Sequence, residues 1–350
     1  TFLGQGVTFY NSDFKQPYSL RWNFSIQQQL TNDTVLEVGY MGNHAVGLDG
    51  TRDFNVIPRD QLSTQVFRDQ ANIDRLGRLV TNPFKGLLPG TSLNGSRISA
   101  EQLLRAHPHF NGDAGTRFQY VNFGGSYFHM FQARLEKRLS NGVQLMANYM
   151  FSKLIETRSF LNQQDFAPEK RIAGEDRPHR LVLSGMYELP FGRGKAIAGN
   201  AGTPLNYLIG GWTVNGIYTL TNGGFPGDWG NVIYLGGDLD WDGHRVDGTA
   251  FNTAAFITGS TSQPAQNLRT FPTRFTRYRA DIINNIDVSV IKEIPIYERV
   301  NLQLRGEAFN AFNRPAFDGP NISPSSSSFG KITRQRNLPR VVQLALKLTW

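Results

Sequence analysis

Nine segments of the sequence alternate apolar and polar side chains with a period of two. In the final segment, Leu344, Leu346, Leu348 and Trp350 alternate with small or polar residues. The other eight segments begin at Trp22, Leu36, Phe131, Val143, Leu181, Trp212, Ile286 and Val300. Because successive side chains of a strand point to opposite faces, this period predicts nine strands, each with one apolar face. The 36 glycines and the 25 Phe, 12 Tyr and 5 Trp residues are also typical of an all-β protein.

The links between these segments are alternately short and long. The short links are 31–33, 140–142 and 295–299, and the long links are 43–116, 155–177, 223–281 and 313–339. An antiparallel transmembrane β-barrel has short periplasmic turns at one rim and long extracellular loops at the other, whereas a soluble sandwich has no reason to sort its links. We therefore predict one partial transmembrane barrel domain over 1–350, with extracellular loops at the four long links. The link 190–210 is an exception, since it is long but belongs to the short-turn side.

Aromatic residues fall near the predicted strand ends, where the membrane interfaces of a barrel would lie. Those toward the long links are Tyr18, Trp22, Tyr40, Tyr127, Tyr149, Phe151 and Phe309. Those toward the short turns are Tyr187, Trp212 and Trp350. Two girdles of this kind favour a bacterial outer-membrane location, in contact with lipid and lipopolysaccharide.

Composition excludes several other classes of protein. The apolar content of 39% is spread along the chain, so no window approaches the roughly 20 apolar residues of a transmembrane helix. With no cysteine, the chain has neither disulfides nor thiolate sites. The net charge is +8, but the arginines are scattered and no nucleic-acid-binding motif accompanies them. No nucleophile lies in a catalytic context, and the GRGK run at 192–195 lacks Walker A spacing, so we predict no enzyme.

The chain reads as one part of a longer protein. It starts with Thr1 rather than Met and shows no signal-peptide pattern. Nine strands are an odd number, whereas bacterial single-chain barrels have an even number. We therefore expect a C-terminal portion of a larger barrel.

An ordered set of motifs covers nearly the whole sequence. The motifs are RWNFSIQ at 21–27, TVLEVGYMG at 34–42, QARLEKR at 132–138, YMFSK at 149–153, DRPHR at 176–180, YELPFGRGK at 187–195, GGW at 210–212, RGEAFNAFN at 305–313 and LALKLTW at 344–350. Together they resemble the C-terminal barrel half of TonB-dependent receptors, in particular the subgroup with an N-terminal carboxypeptidase-regulatory-like domain that is common in soil acidobacteria.

This resemblance implies a 22-stranded barrel that contains a plug and is driven by the TonB complex of the inner membrane. The nine strands here would be the last nine. The implied function is import of a large or scarce nutrient such as an oligosaccharide, a peptide or a metal chelate. The plug, the TonB-contact segment and the first strands have no counterpart in these 350 residues.

Seven charged residues alternate onto the polar side of the predicted strands, where they would line the lumen. They are Glu37, Arg134, Glu136, Arg138, Glu188, Arg305 and Glu307. The resemblance implies that they hold the plug through ion pairs that rearrange during transport. The alternative is that they only solvate a water-filled space.

The last strand carries a second candidate signal, because Leu344, Leu346, Leu348 and Trp350 share one face. This pattern resembles the signal by which the barrel assembly machinery recognises the final strand, although phenylalanine is the commoner last residue. The alternative is an ordinary edge strand, which would leave an apolar edge exposed in a soluble protein.

The DLDWDG run at 238–243 is a candidate calcium loop. Asp238, Asp240 and Asp242 occupy positions 1, 3 and 5, and a glycine occupies position 6, as in calcium loops with hard oxygen ligands. The twelfth position is Thr249 rather than Glu, so Asp247 would have to replace the bidentate ligand. The missing glutamate favours an ordinary polar turn, and no other cofactor is predicted.

Two functions remain open at this point. The first is a transport protein whose long loops capture a substrate for import. The second is a surface or adhesion protein whose loops bind a partner without import. An encoded plug upstream would favour the first.

Overall fold

The computed structural model describes residues 2–112, 115–297 and 299–350, and the alternating segments form strands of one large sheet. In chain order the strands are β1 (Val7–Tyr10), β2 (Tyr18–Thr31), β3 (Thr34–Asp53), β4 (Leu79–Thr81), β5 (Arg97–Ser99), β6 (Thr116–Ser140), β7 (Val143–Thr157), β8 (Arg171–Ile172), β9 (His179–Glu188), β10 (Trp212–Thr221), β11 (Ile283–Tyr297), β12 (Val300–Phe309) and β13 (Val341–Thr349). The α-helices are α1 (Gln70–Gly77), α2 (Ala100–Leu104) and α3 (Thr203–Ile209). Single 3₁₀ turns lie at Arg59–Gln61, Ser92–Asn94, Thr253–Ala255 and Ser260–Ser262.

The large sheet has 11 strands, and its main path follows the chain order β2, β3, β6, β7, β9, β10, β11, β12 and β13. Neighbours along this path are antiparallel. The short β1 pairs in parallel with β6, and β8 pairs with β7. The prediction of an all-β antiparallel sheet is therefore confirmed. Within the described residues the sheet is open, with β2 and β13 at the two ends of its main path.

Strand register sorts the side chains onto two faces. One transverse row of Cα partners runs through Glu37, Arg134, Asn148, Val182, Thr219 and Asn285. The adjacent row runs through Leu36, Leu135, Ala147, Leu183, Tyr218 and Ile286. We call the face of the first row the polar face and that of the second the apolar face. Because side chains alternate along every strand, successive transverse rows lie alternately on the polar and the apolar face.

The apolar face is uncovered except where the segment 190–210 contacts it. On the two end strands, Phe24, Ile26 and Leu346 are each at least 60% exposed. An apolar surface of this extent marks contact with a membrane or another apolar partner. No helix of the described residues is long and apolar enough to cross a membrane.

All the connections with few residues lie at one end of the sheet. In the β6–β7 turn, Asn141 and Gly142 have φ of 51° and 77°, the left-handed pair that a type I′ hairpin requires. In the β2–β3 turn, the hydrogen bond from Lys137, helped by those from Thr31, Ser140 and Thr34, holds the pKa of Asp33 well below its ordinary range. Of the predicted short link 295–299, residue 298 lies outside the described residues.

The long links lie at the other end and span 54–115, 158–178, 222–282 and 310–340. The prediction that the first long link begins at residue 43 was wrong, because β3 continues to Asp53. Its last ten residues pair with β6 but no longer alternate apolar with polar side chains, so the period gave no sign of them. With 20 residues in β3 and 25 in β6, both strands exceed the roughly 9–11 residues that cross a bilayer.

Candidate functional site: the polar face and the long-loop domain

The register places the seven predicted charged side chains on the polar face. Glu37 is the Cα partner of Arg134, and the Arg134 guanidinium lies 2.8 Å from the Glu136 carboxylate. Arg305 and Glu307 form a similar pair at 3.5 Å. These pairs join residues two apart on one strand and are partly exposed, so they can exchange partners at little cost in free energy.

The remaining two polar-face charges lie at the short-turn end. Glu188 accepts a hydrogen bond from Lys195 at 2.9 Å, and Arg138 follows the Lys137 that binds Asp33. The polar face therefore carries charges of both signs along its length.

A groove of about 530 Å³ lies where the polar face meets the long-link end. Thr219, Asn285 and Asp287 reach it from the sheet, and Asn310 and Arg314 reach it from the link 310–340. Asp287 accepts hydrogen bonds from the Asn310 backbone at 2.8 Å and from the Asn285 amide at 2.9 Å. The groove thus offers both amide and charged groups to a solute.

The long links pack together into what we call the long-loop domain, which comprises the described residues of 54–115, 158–178, 222–282 and 310–340. Its hydrophobic core joins the last two links through Trp229, Val232, Leu239, Ala250, Phe251, Ala255, Phe256, Phe329 and Ile332. Trp229 stacks on Phe256 with ring centroids 5.2 Å apart, and Phe251 meets Phe329 edge-on at 5.3 Å. This cluster supplies the dense apolar packing that the open sheet lacks.

Ion pairs tie the link 158–178 to the link 222–282. Arg274 lies 2.9 Å from Glu156 at the end of β7 and 2.5 Å from Asp228, and it donates to the Ile172 backbone oxygen at 3.0 Å. Arg171 lies 3.0 Å from the same Glu156 and 3.9 Å from Asp228. Burial acts to lower the pKa of Arg274, but its hydrogen bonds to Asp228 and Glu156 outweigh burial and raise it. The guanidinium therefore stays charged and holds the two links together.

A second buried pair lies beside the first. The Asp176 carboxylate, which is fully buried, accepts hydrogen bonds from Arg279 at 2.6 Å and from the Leu154 backbone at 2.7 Å. Arg279 also donates to the Asp176 backbone oxygen at 2.9 Å, and its guanidinium lies 4.5 Å from the ring centroid of Phe225. Asp176 thus connects strand β7 to both links.

Three long links meet at a cleft of about 370 Å³. Its lining is rich in amides, with Asn162, Gln163, Gln164, Asn231, Gln266 and Asn267. Some of these amides cross-link the walls: Gln164 donates to the Ile57 backbone oxygen at 3.0 Å, and Asn162 donates to the Arg269 backbone oxygen at 3.1 Å. Because each primary amide has two donor hydrogens and two acceptor lone pairs, the lining still presents polar groups to a ligand. Burial lowers the pKa of Arg269 at the cleft wall.

The candidate calcium loop has a different arrangement from the one its spacing predicts. Arg245 pairs with Asp240 at 3.3 Å and with Asp242 at 3.8 Å, while Arg277 lies 3.8 Å from Asp238. Between them, Leu239 is buried in the core cluster and Trp241 packs against it. Within the described part of the chain, no group of three or more acidic, histidine or cysteine side chains is placed to hold a metal ion. Asp238, Asp240, Asp242 and Asp247 are therefore not brought together, and arginines occupy the surroundings of the first three.

The last strand exposes the side chains predicted as an assembly signal. Leu344, Leu346 and Leu348 are all exposed and point to the apolar face. Trp350 follows β13 and is also exposed. They are therefore available for recognition.

Sequence reasoning missed the residues that organise the long-loop domain. Asp176 belongs to the DRPHR motif, but no local pattern links it to Arg279, which lies 103 residues later. A usable signal was the density of aromatic residues between Phe225 and Tyr278, which is unusual for an extended loop. That density reflects the core cluster.

Comparison with known proteins gives a family match over almost the full length. Residues 1–343 match the outer membrane beta barrel domain family. No curated protein matches the chain. Among solved structures, similarity extends to the outer membrane transporter YddB from Escherichia coli, with 10% identity, a TM-score of 0.42, and coverage of 99% of this chain and 35% of that one.

Two further similar structures are bacterial receptors for ferric compounds. The ferric preacinetobactin receptor BauA from Acinetobacter baumannii is 8% identical, with a TM-score of 0.41 and coverage of 95% of this chain and 29% of that one. The ferric-catecholate import receptor Fiu from E. coli K12 is 11% identical, with a TM-score of 0.41 and coverage of 97% and 29%. This chain thus spans about a third of the length of these proteins. The family match over 1–343, together with the uncovered apolar face, leads to one conclusion: the chain belongs to the outer membrane beta barrel domain family and resides in the bacterial outer membrane.

Proposed function

We propose that this chain is the C-terminal barrel portion of a TonB-dependent receptor that imports a large or scarce nutrient. The ordered motifs of the sequence support this assignment, including the subgroup with an N-terminal carboxypeptidase-regulatory-like domain. In this proposal the main-path strands are the last nine of 22, and the long-loop domain faces the outside of the cell. The substrate is an oligosaccharide, a peptide or a metal chelate.

The observation that carries the proposal is the groove on the polar face directly beneath the long-loop domain. A solute that leaves the domain toward the sheet meets Asn285, Asp287 and Arg314 next. An adhesion protein needs a binding surface at its outer tip but has no use for a polar groove on the inner face. A transporter needs both, because the solute must be handed from the loops to the lumen.

The polar-face charges have a specific role in this proposal. Glu37, Arg134, Glu136, Arg138, Glu188, Arg305 and Glu307 contact the plug when the receptor is at rest. The pairs Arg134–Glu136 and Arg305–Glu307 are half-exposed, so plug contacts can replace them without burying an unpaired charge. Withdrawal of the plug then restores the pairs within each strand.

Assembly into the membrane uses the last strand. We propose that the barrel assembly machinery binds the exposed edge of β13 and recognises the side chains of Leu344, Leu346, Leu348 and Trp350. Within the described residues β13 ends the main path of the sheet, and before the barrel closes such a strand can be recognised by strand addition. Outer-membrane lipid and lipopolysaccharide are the other partners.

Growth of a deletion strain tests the transport function. The strain is supplied with single sources drawn from oligosaccharides, peptides and ferric chelates, and is compared with a strain that lacks the TonB energy-coupling protein. We expect both strains to fail on the same source, and the full-length gene to restore growth of the first.

Point variants sharpen the test. Asp287→Asn in the groove should slow uptake of the source that the screen identifies, while the matched variant Asp318→Asn, outside the groove, should not. Unimpaired growth on every source, combined with loss of attachment to a surface, would overturn transport and establish the adhesion function instead.

A further inference from the structure

The segment 190–210 stands out at the short-turn end of the sheet. It joins β9 to β10, contains α3 and exposes the apolar residues Phe191, Ile197, Leu205, Tyr207 and Leu208. Leu208 is 70% exposed. Hairpins at this end need only a few residues, as the Asn141–Gly142 turn shows, so the length and the apolar surface of 190–210 require another explanation.

The last turn of α3 contacts the apolar face of the sheet. The Trp212 indole donates a hydrogen bond to the Leu208 backbone oxygen at 3.0 Å. Trp212 and Lys292 are Cα partners on adjacent strands, and both belong to the apolar face. The helix is therefore attached at the membrane-facing side of the rim.

The same contacts bury the ammonium group of Lys292, which would otherwise face lipid. Lys292 is only 4% exposed, its ammonium group donates to the Gly210 backbone oxygen, and it lies 5.2 Å from the centroid of a Trp212 ring. A lysine on the lipid-facing side of a barrel is strongly unfavourable at the membrane midplane and much less so near an interface. A covered lysine beside a tryptophan is thus suited to the interfacial region.

Local contacts within the segment 190–210 hold α3 in this position. A helix of 7 residues is too short to be stable alone in water. The Asn206 side chain accepts a hydrogen bond from the Arg193 backbone at 2.7 Å, which ties the helix to the preceding turn. At Gly192, with φ of 107°, a Cβ would lie 2.7 Å from the Gly210 Cα, so only glycine permits this close approach.

We propose that 190–210 is an interfacial anchor in which α3 lies in the headgroup region of the phospholipid leaflet at the short-turn rim. Leu205 and Leu208 are three residues apart and therefore project from neighbouring positions of the helix into the acyl boundary. Arg193, whose guanidinium donates to the Thr203 hydroxyl at the start of α3 at 3.2 Å, supplies positive charge for the lipid phosphates. The occupant of this surface is lipid, because the surface is continuous with the apolar face through Trp212.

Spin-label depth measurements test the anchor. A nitroxide is attached at Leu208→Cys in the full-length receptor, with any thiol outside these 350 residues replaced, in vesicles of phosphatidylethanolamine and phosphatidylglycerol. The two controls are Leu304→Cys, on the apolar face of β12, and Leu235→Cys, an exposed leucine of the long-loop domain. Collision rates with oxygen, which is lipid-soluble, and with a water-soluble nickel complex report the environment.

We expect the ratio of oxygen to nickel collisions at position 208 to exceed that at 235 several-fold and to approach that at 304. A ratio equal to that at 235 would place α3 in water and overturn the anchor. Shielding from both reagents would assign the surface to a protein partner and overturn it equally. The measurement depends only on residence in the outer membrane, so a failure of the transport proposal would leave its outcome unchanged.

Discussion

Replacing Asp176 with alanine should loosen the long-loop domain without disrupting the sheet. The carboxylate is fully buried and Arg279 is 12% exposed, so the change removes one partner of a buried ion pair. Removal of one partner typically costs about 3–5 kcal/mol, because the other charge stays behind uncompensated. Arg279 keeps its hydrogen bond to the Asp176 backbone oxygen at 2.9 Å and its contact with the Phe225 ring. We therefore expect the lower end, about 3 kcal/mol.

That free energy corresponds to an increase of roughly 100-fold in the opening equilibrium of the domain. Amide hydrogen exchange resolved by peptide can measure it, because the links 158–178 and 222–282 should exchange faster while β9 and β10 keep their protection. The matched control is Asp318→Ala, which breaks the exposed pair with Arg334, where the side chains are 37% and 80% exposed. An exposed pair contributes about 0–1 kcal/mol, so this control should exchange almost as the wild type does.

The double variant Asp176→Ala/Arg279→Ala supplies a further check. Removing both charges should cost less than the sum of the two single changes, because no buried charge remains unpaired. If Asp176→Ala exchanges no faster than Asp318→Ala, the reasoning about the buried pair is refuted.

Four other predictions concern topology, assembly, pH and metal. Thiol labelling on whole cells should modify Asp242→Cys in the long-loop domain but not Asn32→Cys in the β2–β3 turn, and the reverse pattern would invert the proposed orientation. Trp350→Asp should sharply lower the amount of heat-modifiable protein in the outer membrane, whereas Thr349→Asp on the polar face should lower it much less; equal levels of the two variants would contradict the terminal signal. Burial acts to raise the pKa of Asp165, but hydrogen bonds from Arg59 and Asn162 outweigh burial and lower this pKa. The ionised carboxylate therefore stabilises the folded state above the unfolded-state pKa of about 3.9, and this stabilisation is lost as pH falls through the folded-state pKa. The protection factors of the described amides in 54–115, which are corrected for the intrinsic exchange rate at each pH, should therefore fall below about pH 4 in the wild type and depend less on pH in Asp165→Asn, and identical profiles would rule this out. Millimolar calcium should leave the protease resistance of 222–282 unchanged, because arginines already pair with Asp238, Asp240 and Asp242; protection that Asp240→Asn abolishes would restore the calcium site.

The sequence by itself determined the strands and their faces. Alternation of side chains is a local property with a period of two, so Leu135 and Arg134 could be assigned to opposite faces without knowledge of any partner strand. The register then aligned Arg134 with Glu37 and Leu135 with Leu36, as the pattern required. The order of short and long links predicted which end of the sheet carries the hairpins, because successive connections of an antiparallel sheet lie at alternate ends.

Only the tertiary structure decided how the long links fold and what their charges do. Asp176 and Arg279 are 103 residues apart, and Arg59 and Asp165 are 106 apart, so no local period relates them. The acidic run fits a calcium loop by spacing alone, yet its carboxylates pair with Arg245 and Arg277 while Leu239 packs in the core. The sequence pattern also could not predict the end of β3 at Asp53 or the position of α3 against Trp212. These features arise from contacts between distant segments, and a pattern of neighbouring residues carries no record of such contacts.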